Sequence, residues 1–346
     1  MGATKRSTDT MAAAVFEGNG QVAVKQRPRP TVSSSSDVLI KVRACGICGT
    51  DIHIASVPQA HPGNPGVILG HEYTGEVVAV GDAVRHVAVG DQVVVEPDQY
   101  CGECFYCRRG RSNLCENATA IGVFLDGGLA TYNLTSARFV HRVSPEVPTE
   151  VAALVEPLAC VLNGVQKLTI TAGDSALIVG AGPIGLLFTR VLATMGLGTT
   201  IVADVRERRL ATAQKVGATV VANPTKEPLA EVVREHTKHG AGIVVDCVGT
   251  QFATALEAVR RGGEVLLFGM NKHGHAEVSQ YDITEREIAI YGNFTARNTF
   301  PLAIQMVESA PQRFAPLVSH RLPLSEMLEA MRLVREGAGD KVLVMP

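Results

Sequence analysis

With 346 residues, 46% hydrophobic and 19% charged, the chain has the composition of a folded globular protein, and its length predicts two domains rather than one core. The formal charge of −2 leaves no basic excess with which to hold nucleic acid or an acidic membrane surface, so a small-molecule partner is expected. No long uninterrupted apolar run predicts a membrane span and no secretory signal opens the sequence, which makes the cytoplasm the expected compartment.

Residues 1–10, MGATKRSTDT, are polar and read as a disordered or expression-derived lead; Arg6 stands where a myristoylation site needs Ser or Thr. From about residue 12 to 140 the segments AAAVFEG, QVAVKQ, VLIKVRA, GEVVAVG and DQVVVEP are short, Val-rich and separated by Gly, Pro, Ser and Asp, which predicts an all-β region. Within it, CGICGTDIH and GHE supply Cys48, His71 and Glu72: a thiolate, an imidazole and a carboxylate from two separated loops. A catalytic metal needs such a short ligand set and one open position. Taken singly, Cys48 reads as a small buried hydrophobe and His71 as a hydrogen-bonded structural histidine; the combination points to a metal.

CGECFYCRRGRSNLC then places four of the eight cysteines, Cys101, Cys104, Cys107 and Cys115, within fifteen residues. In a reducing compartment this spacing favours a metal over disulfides. Four thiolates around a tetrahedral zinc leave no position for substrate, so the ion would brace a loop too polar to form its own core. Arg108, Arg109 and Arg111 could offset the negative charge, and an iron–sulfur cluster is the alternative occupant. Cys45, Cys160 and Cys247 read as structural. Further on, Glu156 lies in the otherwise apolar VAALVEPLACVL, where an ionised carboxylate calls for a cation or a hydrogen-bonding partner, and Pro157 is expected to interrupt the helix beside it.

From about 175 to 295 the pattern alternates. SALIVG, TTIVAD, ATVVA, GIVVDCVG and GEVLLFGM read as strands, with PIGLLFTRVLATM, RERRLATAQKVG, LAEVVREHTK and TALEAVRR as helices between them. That order predicts a doubly wound parallel sheet covered on both faces. GAGPIG opens the first of these helices directly after a strand: Gly180 for the tight turn, Gly182 for close approach of a pyrophosphate, Gly185 for helix–strand packing, with Pro183 and Ile184 in the first helical turn. Asp204, nineteen residues beyond Gly185, stands where a carboxylate would accept the adenosine ribose hydroxyls and repel a 2′-phosphate, favouring NAD over NADP; Arg206 and Arg209 are the nearby cations that could reverse the preference. TFPLAIQMVES reads as a further helix, and the tail to Pro346 as a return to the first domain.

Taken together, CGICGTDIH, GHEYTGEVVAVG, GDQVVVEP, the four-cysteine lobe, EPLA, GAGPIG and NTFPLAI resemble the zinc-dependent medium-chain dehydrogenase/reductase family, most closely its sorbitol (polyol) dehydrogenase branch. The resemblance runs from about residue 12 to the C-terminus. It implies an α/β two-domain fold, with a GroES-like β catalytic domain at 11–160 and 297–346, a Rossmann NAD-binding domain at 161–296, and assembly as a homodimer or homotetramer. It further implies two zinc ions per chain. Cys48 and His71 would be catalytic ligands, Glu72 a ligand in some states, and Glu156 a ligand directly or through water, so the fourth ligand stays open. Thr50 and His53 match the family's proton relay, and the four-cysteine lobe its structural-zinc site.

One departure concerns substrate. The branch carries an Arg–Tyr pair after the residue matching Phe294, where this chain has Thr295 and Ala296, with Arg297 one position later; on an extended segment that shift reverses the face. Phe294, Arg297 and Asn298, with the loop HIASVPQAHPGNPG, are expected to line a pocket polar enough for a polyol, sugar, cyclitol or amino-alcohol. A threonine 3-dehydrogenase-like activity is the competitor within the fold, since CGTDIHI resembles that branch too. A zinc-module binding protein and a zinc-free reductase are the remaining readings, and neither accounts for Cys48, His71 and Glu156 together with the glycine turn.

Overall fold

The computed structural model describes residues 9–346, so residues 1–8 of the expected lead lie outside the described chain. Its last two residues are tied to the first hairpin: Thr10 pairs with Pro28, and Arg29 Nη1 donates to Asp9 Oδ2 at 2.9 Å. That hairpin joins β1 (Thr10–Gly18) to β2 (Gln21–Pro28) through Asn19 and Gly20, both at positive φ. Then come β3 (Asp37–Gly46), a short helix α1 (Gly49–Ile54), β4 (Glu72–Val80), β5 (Gln92–Val95), the paired β6 (Asp98–Gln99) and β7 (Thr119–Ala120), β8 (Tyr132–Ser136) and β9 (Val140–Arg142). The Val-rich runs read from sequence are therefore strands; Ile40, Val42, Val77 and Val93 are buried, whereas Val24 on β2 is exposed.

Two helices follow, α2 (Thr149–Ala152) and α3 (Val155–Val165). The interruption expected at Pro157 falls earlier, between Ala152 and Val155. Pro157 sits in the first turn of α3, where its missing N–H costs nothing.

The next elements alternate strand and helix: β10 (Ser175–Val179), α4 (Pro183–Ala193), β11 (Thr199–Ala203), α5 (Glu207–Val216), β12 (Val220–Ala222), α6 (Leu229–Thr237), β13 (Ala241–Asp246), α7 (Phe252–Ala258), β14 (Val259–Leu267), α8 (Gln280–Glu285) and β15 (Ala289–Gly292). The six strands lie side by side in the order β12-β11-β10-β13-β14-β15, every neighbouring pair parallel. With helices on its faces such a sheet has no wet side, which explains its near-continuous apolar runs; Leu177, Ile201, Val244 and Val265 are wholly buried. The helix expected over TALEAVRR stops at Ala258. Arg286 donates from Nη1 to Leu256 O at 2.8 Å, and Val259 already pairs with Ala241.

The tail forms α9 (Phe300–Ser309), β16 (Val318–Pro323), α10 (Met327–Arg335) and β17 (Lys341–Met345). β17 completes the first sheet, whose order is β16-β17-β3-β4-β5-β9 with β8 also on β3. The chain divides into two units: residues 9–156, Phe300–Pro311 and Val318–Pro346 form the first, and Pro157–Thr299 with Gln312–Leu317 the second. No helix among the described residues is long and apolar enough to cross a membrane.

Candidate active site

β3 ends at Gly46 and the chain turns at once into α1, with Cys48 at its N-cap. β4 begins two residues beyond Gly70, so His71 and Glu72 enter the same end of the sheet, Gly46 lying opposite Glu72 in the ladder. One ligand atom each from Cys48, His71 and Glu72 lies within 4.8 Å of the others, one of two such groups among the described residues. Cys48 is half-buried; His71 and Glu72 are buried at 9% and 2% exposure.

Asp51, which the sequence reading passed over, organises this corner. It is fully buried, accepts the Cys48 N–H at 2.8 Å and the Gly70 N–H at 3.2 Å, and so ties together the two loops that carry the candidate ligands. Its Oδ1 also stands 3.9 Å from His71 Nδ1, a buried ring nitrogen with no hydrogen-bond partner. A carboxylate behind the far nitrogen of an imidazole is how metal-ligating histidines are oriented. The signal was in the sequence: an acid at the third position of a six-residue helix, two residues before His53.

The charges make the same point. Burial pushes the Cys48 thiol up, but the charge of His71 and its hydrogen bond more than reverse this and hold it at about 7. Burial pulls His71 down, and the Cys48 thiolate, with Asp51 and Glu156 adding to it, overrides this and raises it to about 10. Cys48, Asp51, Glu72 and Glu156 crowd around one imidazole and one ammonium, that of Lys341, which burial pulls below its usual range. A donor set this rich in negative charge fits a divalent cation. Glu156 acts on His71 but is not in the trio that lies within 4.8 Å; Glu72, which is, already forms a buried ion pair with Lys341. Thr50 is half-buried and His53 exposed, three residues apart on α1 and hence on one helix face.

Cys101, Cys104, Cys107 and Cys115 form the other group. Their sulfurs lie 4.0 Å (Cys101 to Cys107), 3.9 Å (Cys104 to Cys115) and 3.5 Å (Cys101 to Cys115) apart. A tetrahedron with zinc–sulfur bonds of about 2.3 Å has edges of roughly 3.8 Å, so the thiols already stand at the right separation. Backbone amides of Glu103 and Cys104 hold Cys101 down to about 6, while burial pushes Cys107 up to about 12: four thiols this close cannot all ionise unless a cation joins them. Within the lobe Phe105 is 56% exposed, and Ser112 and Cys115 are buried. Arg109 lies over the Phe105 ring at 3.6 Å and Arg138 donates to Cys101 O at 3.4 Å, bracing it from outside.

In the second unit the glycine turn has three distinct geometries. Gly180 adopts φ +97, which disfavours any side chain. A Cβ on Gly185 would stand 1.8 Å from Gly180 O, so helix and turn touch there. A Cβ on Gly182 would meet no protein atom within 4 Å, leaving its backbone bare at the N-terminus of the eleven-residue α4, with Pro183 and Ile184 following. A bare backbone at a helix N-terminus is the geometry that phosphate groups favour. Asp204 is buried; its Oδ2 accepts Ala181 N–H at 2.8 Å, its Oδ1 accepts Arg206 N–H at 2.9 Å, and Arg209 Nη1 lies 3.6 Å away. Besides any ribose contact it therefore fastens the turn.

The segment after β15 is not extended: Thr295 and Asn298 have φ of +43 and +54. Strand alternation therefore does not set the face of Arg297, since positive-φ residues on either side break the two-residue period. Instead the backbone is pinned to α3, fully buried Asn163 donating from Nδ2 to Thr295 O at 2.7 Å and Thr299 Oγ1 to Ala159 O at 2.6 Å. Phe294 is left exposed at 44%.

Residues 34–145 match the model of the alcohol dehydrogenase GroES-like domain and residues 183–309 that of the zinc-binding dehydrogenases. The chain is 39% identical over 299 residues to D-altritol 5-dehydrogenase of Agrobacterium fabrum, covering 84% of this chain and 86% of the relative. It is 33% identical over 346 residues to sorbitol dehydrogenase of Bacillus subtilis (97% of each) and 34% over 340 to L-threonine 3-dehydrogenase of Symbiobacterium thermophilum (96% of each). Among solved structures, a zinc-binding dehydrogenase of Sinorhizobium meliloti 1021 bound to NADP superposes with TM-score 0.91 at 32% identity, over 98% of this chain and 100% of that one. An Escherichia coli CFT073 alcohol dehydrogenase complexed with NADH gives 0.89 at 29%, over 97% and 99%.

Proposed function

Since the chain belongs to the zinc-dependent medium-chain dehydrogenase/reductase family and is a dehydrogenase, we propose that it oxidises a secondary alcohol of a polyol, sugar, cyclitol or amino-alcohol, and reduces the ketone in reverse, with NAD as the hydride carrier and two zinc ions per chain. The observation that carries this is the meeting of Cys48, His71 and Glu72 at one half-buried corner, backed by Asp51. Zinc bound there supplies a Lewis acid that makes the alcohol a stronger proton donor, and bound NAD the hydride acceptor. Cys48 and His71 hold the cation, with Glu72, Glu156 or water completing the set. Asp51 sets the angle of the His71 ring. Thr50 Oγ1 would take the alcohol's proton while handing its own on toward His53, and the exposed His53 imidazole, having gained that proton, would release one to solvent. Cys101, Cys104, Cys107 and Cys115 hold the second zinc and brace their lobe.

In the other unit Gly182 and the N-terminus of α4 receive the pyrophosphate, and Asp204 turns away a 2′-phosphate, which supports NAD over NADP; steady-state kinetics with both cofactors test this, since a similar structure holds NADP. The altritol and sorbitol relatives support a polyol, and the threonine relative makes threonine the competing substrate to assay beside it. Metal analysis decides first. The wild type should carry two zinc ions and Cys48→Ser one, with turnover lost and NADH binding retained. A Cys48→Ser protein that keeps both ions or wild-type turnover refutes the assignment.

A further inference from the structure

At the end of the parallel sheet away from the glycine turn lies a cleft of about 640 Å³ that no step of the proposed reaction uses. The turn follows Val179, the last residue of β10, whereas the cleft opens where β13 and β14 begin, beside Gly240, Val259 and Arg260. Val179 lies opposite Asp246 in the parallel ladder, so the six residues of β13 set the two places roughly 17 Å apart.

The walls of this cleft are basic. Arg234, Lys238 and His239 come from the end of α6 and the turn after it, Arg260 and Arg261 from β14, and Arg286 from the residue after α8, with Glu257 the one acid among them. Asp174 neutralises Arg260 through two hydrogen bonds of 2.8 Å, and Glu285 pairs with Arg261 at 3.2 Å. Among the described residues Arg234, Lys238 and Arg286 have no ion pair; Arg286 donates to Leu256 O and Val259 O instead. Three uncompensated cations thus line one concavity with a single acid, in a chain whose formal charge is −2. A cation in the last turn of a helix is ordinary, since it complements the helix dipole. Convergence with cations from two further elements is not accounted for in that way. Lys238 is also strained: at φ +63 and ψ −43 it is the centre of a γ-turn of the rare positive-φ form, closed by His239 N–H on Thr237 O at 2.8 Å. Glycine would take this conformation freely, and strain kept at a side-chain-bearing residue is typical of ligand clamps.

We propose that this cleft is a second binding site, separate from the glycine turn, for a small organic molecule carrying two or more phosphate groups, anchored by Arg234, Lys238 and Arg286. The charge selects an anion, and guanidinium N–H groups match phosphate oxygens in pairs. The volume falls within the roughly 300–1,000 Å³ of small-molecule pockets and leaves room for an organic body beside the phosphates.

Calorimetric titration of the metallated chain with magnesium-free ATP, AMP and inorganic phosphate tests this, with NADH present at saturation to occupy the glycine turn. ATP should bind at least tenfold more tightly than AMP or inorganic phosphate. Arg234→Gln and Lys238→Gly should each weaken ATP roughly tenfold, the loss of one charge-assisted hydrogen bond. Lys238→Gly relieves the γ-turn and should melt no earlier than wild type, so its weaker binding is not a folding defect. Arg43→Gln removes one charge from an exposed pair with Glu76 on the first sheet and should bind ATP as wild type does. The inference is overturned if ATP does not bind under NADH, if AMP or inorganic phosphate binds as tightly as ATP, or if Arg43→Gln weakens ATP as much as Arg234→Gln.

Discussion

Gly182→Ala and Gly185→Ala differ by three positions in one turn and should fail in opposite ways. At Gly185 the new methyl would lie 1.8 Å from Gly180 O, where carbon and oxygen need more than 3 Å, so α4 or the turn must move by more than an ångström. Overpacking against backbone costs about 3 kcal/mol or more. At Gly182 no protein atom lies within 4 Å and φ is −70, an ordinary value for alanine. The unfolded chain's lost freedom then favours Ala by about 0.4–1 kcal/mol, and the N-cap preference for Gly opposes it by a similar amount, leaving stability within about 1 kcal/mol of wild type. What the methyl does occupy is the space assigned to the pyrophosphate. Losing one charge-assisted hydrogen bond from the turn costs about 1.5–3 kcal/mol, or roughly 10- to 150-fold in Kd. Calorimetric titration of NADH together with thermal melting separates the two: Gly182→Ala should melt as wild type and bind NADH poorly, Gly185→Ala should melt early. A Gly182→Ala protein with wild-type NADH affinity would show that no dinucleotide passes over that backbone.

Further expectations follow from the same geometry. Asp51→Asn loses the charge behind His71 Nδ1 and, because its NH2 cannot accept, one of the two backbone hydrogen bonds that tie the loops together; it should weaken zinc at the Cys48 site roughly 10- to 100-fold in chelator competition, leaving the four-cysteine group's metal untouched. Cys104→Ser removes a brace that contributes about 4 kcal/mol when zinc stands a thousandfold above its Kd; early melting and proteolysis within residues 101–118 should report it. In the metal-free protein His71 holds the Cys48 thiol at about 7, below the usual thiol range, so thiolate forms as the pH rises through that value. Alkylation of Cys48 should accelerate there, and His71→Ala should move the midpoint upward. Asp204→Ala removes two backbone hydrogen bonds from the turn along with the carboxylate, so NADH should bind more weakly and the NAD-to-NADP preference narrow in steady-state kinetics.

Local chemistry was legible in the residues themselves. Four thiols within fifteen positions, three glycines between a strand and a helix, and alternating β and α patterns are short-range signals, because their meaning depends on spacing along one stretch of chain. Arg297 shows where such reasoning stops: its face depended on a two-residue period that the positive φ of Thr295 and Asn298 abolishes. The end of α7 at Ala258 is another case, set by the side chain of Arg286 some thirty positions away.

By itself the sequence determined the fold class, the glycine turn and the thiol cluster. Cys48, His71 and Glu72 were candidates from their chemistry alone, but only the pairing of β3 with β4 brings their ligand atoms within 4.8 Å. Asp51 and Lys341 acquire their roles from tertiary structure, one by joining two loops, the other by crossing from the last strand over a glycine to Glu72. The reason is physical: a buried charge is set by whatever lies within a few ångströms of it, and in a sheet those neighbours come from strands that sequence distance does not reveal.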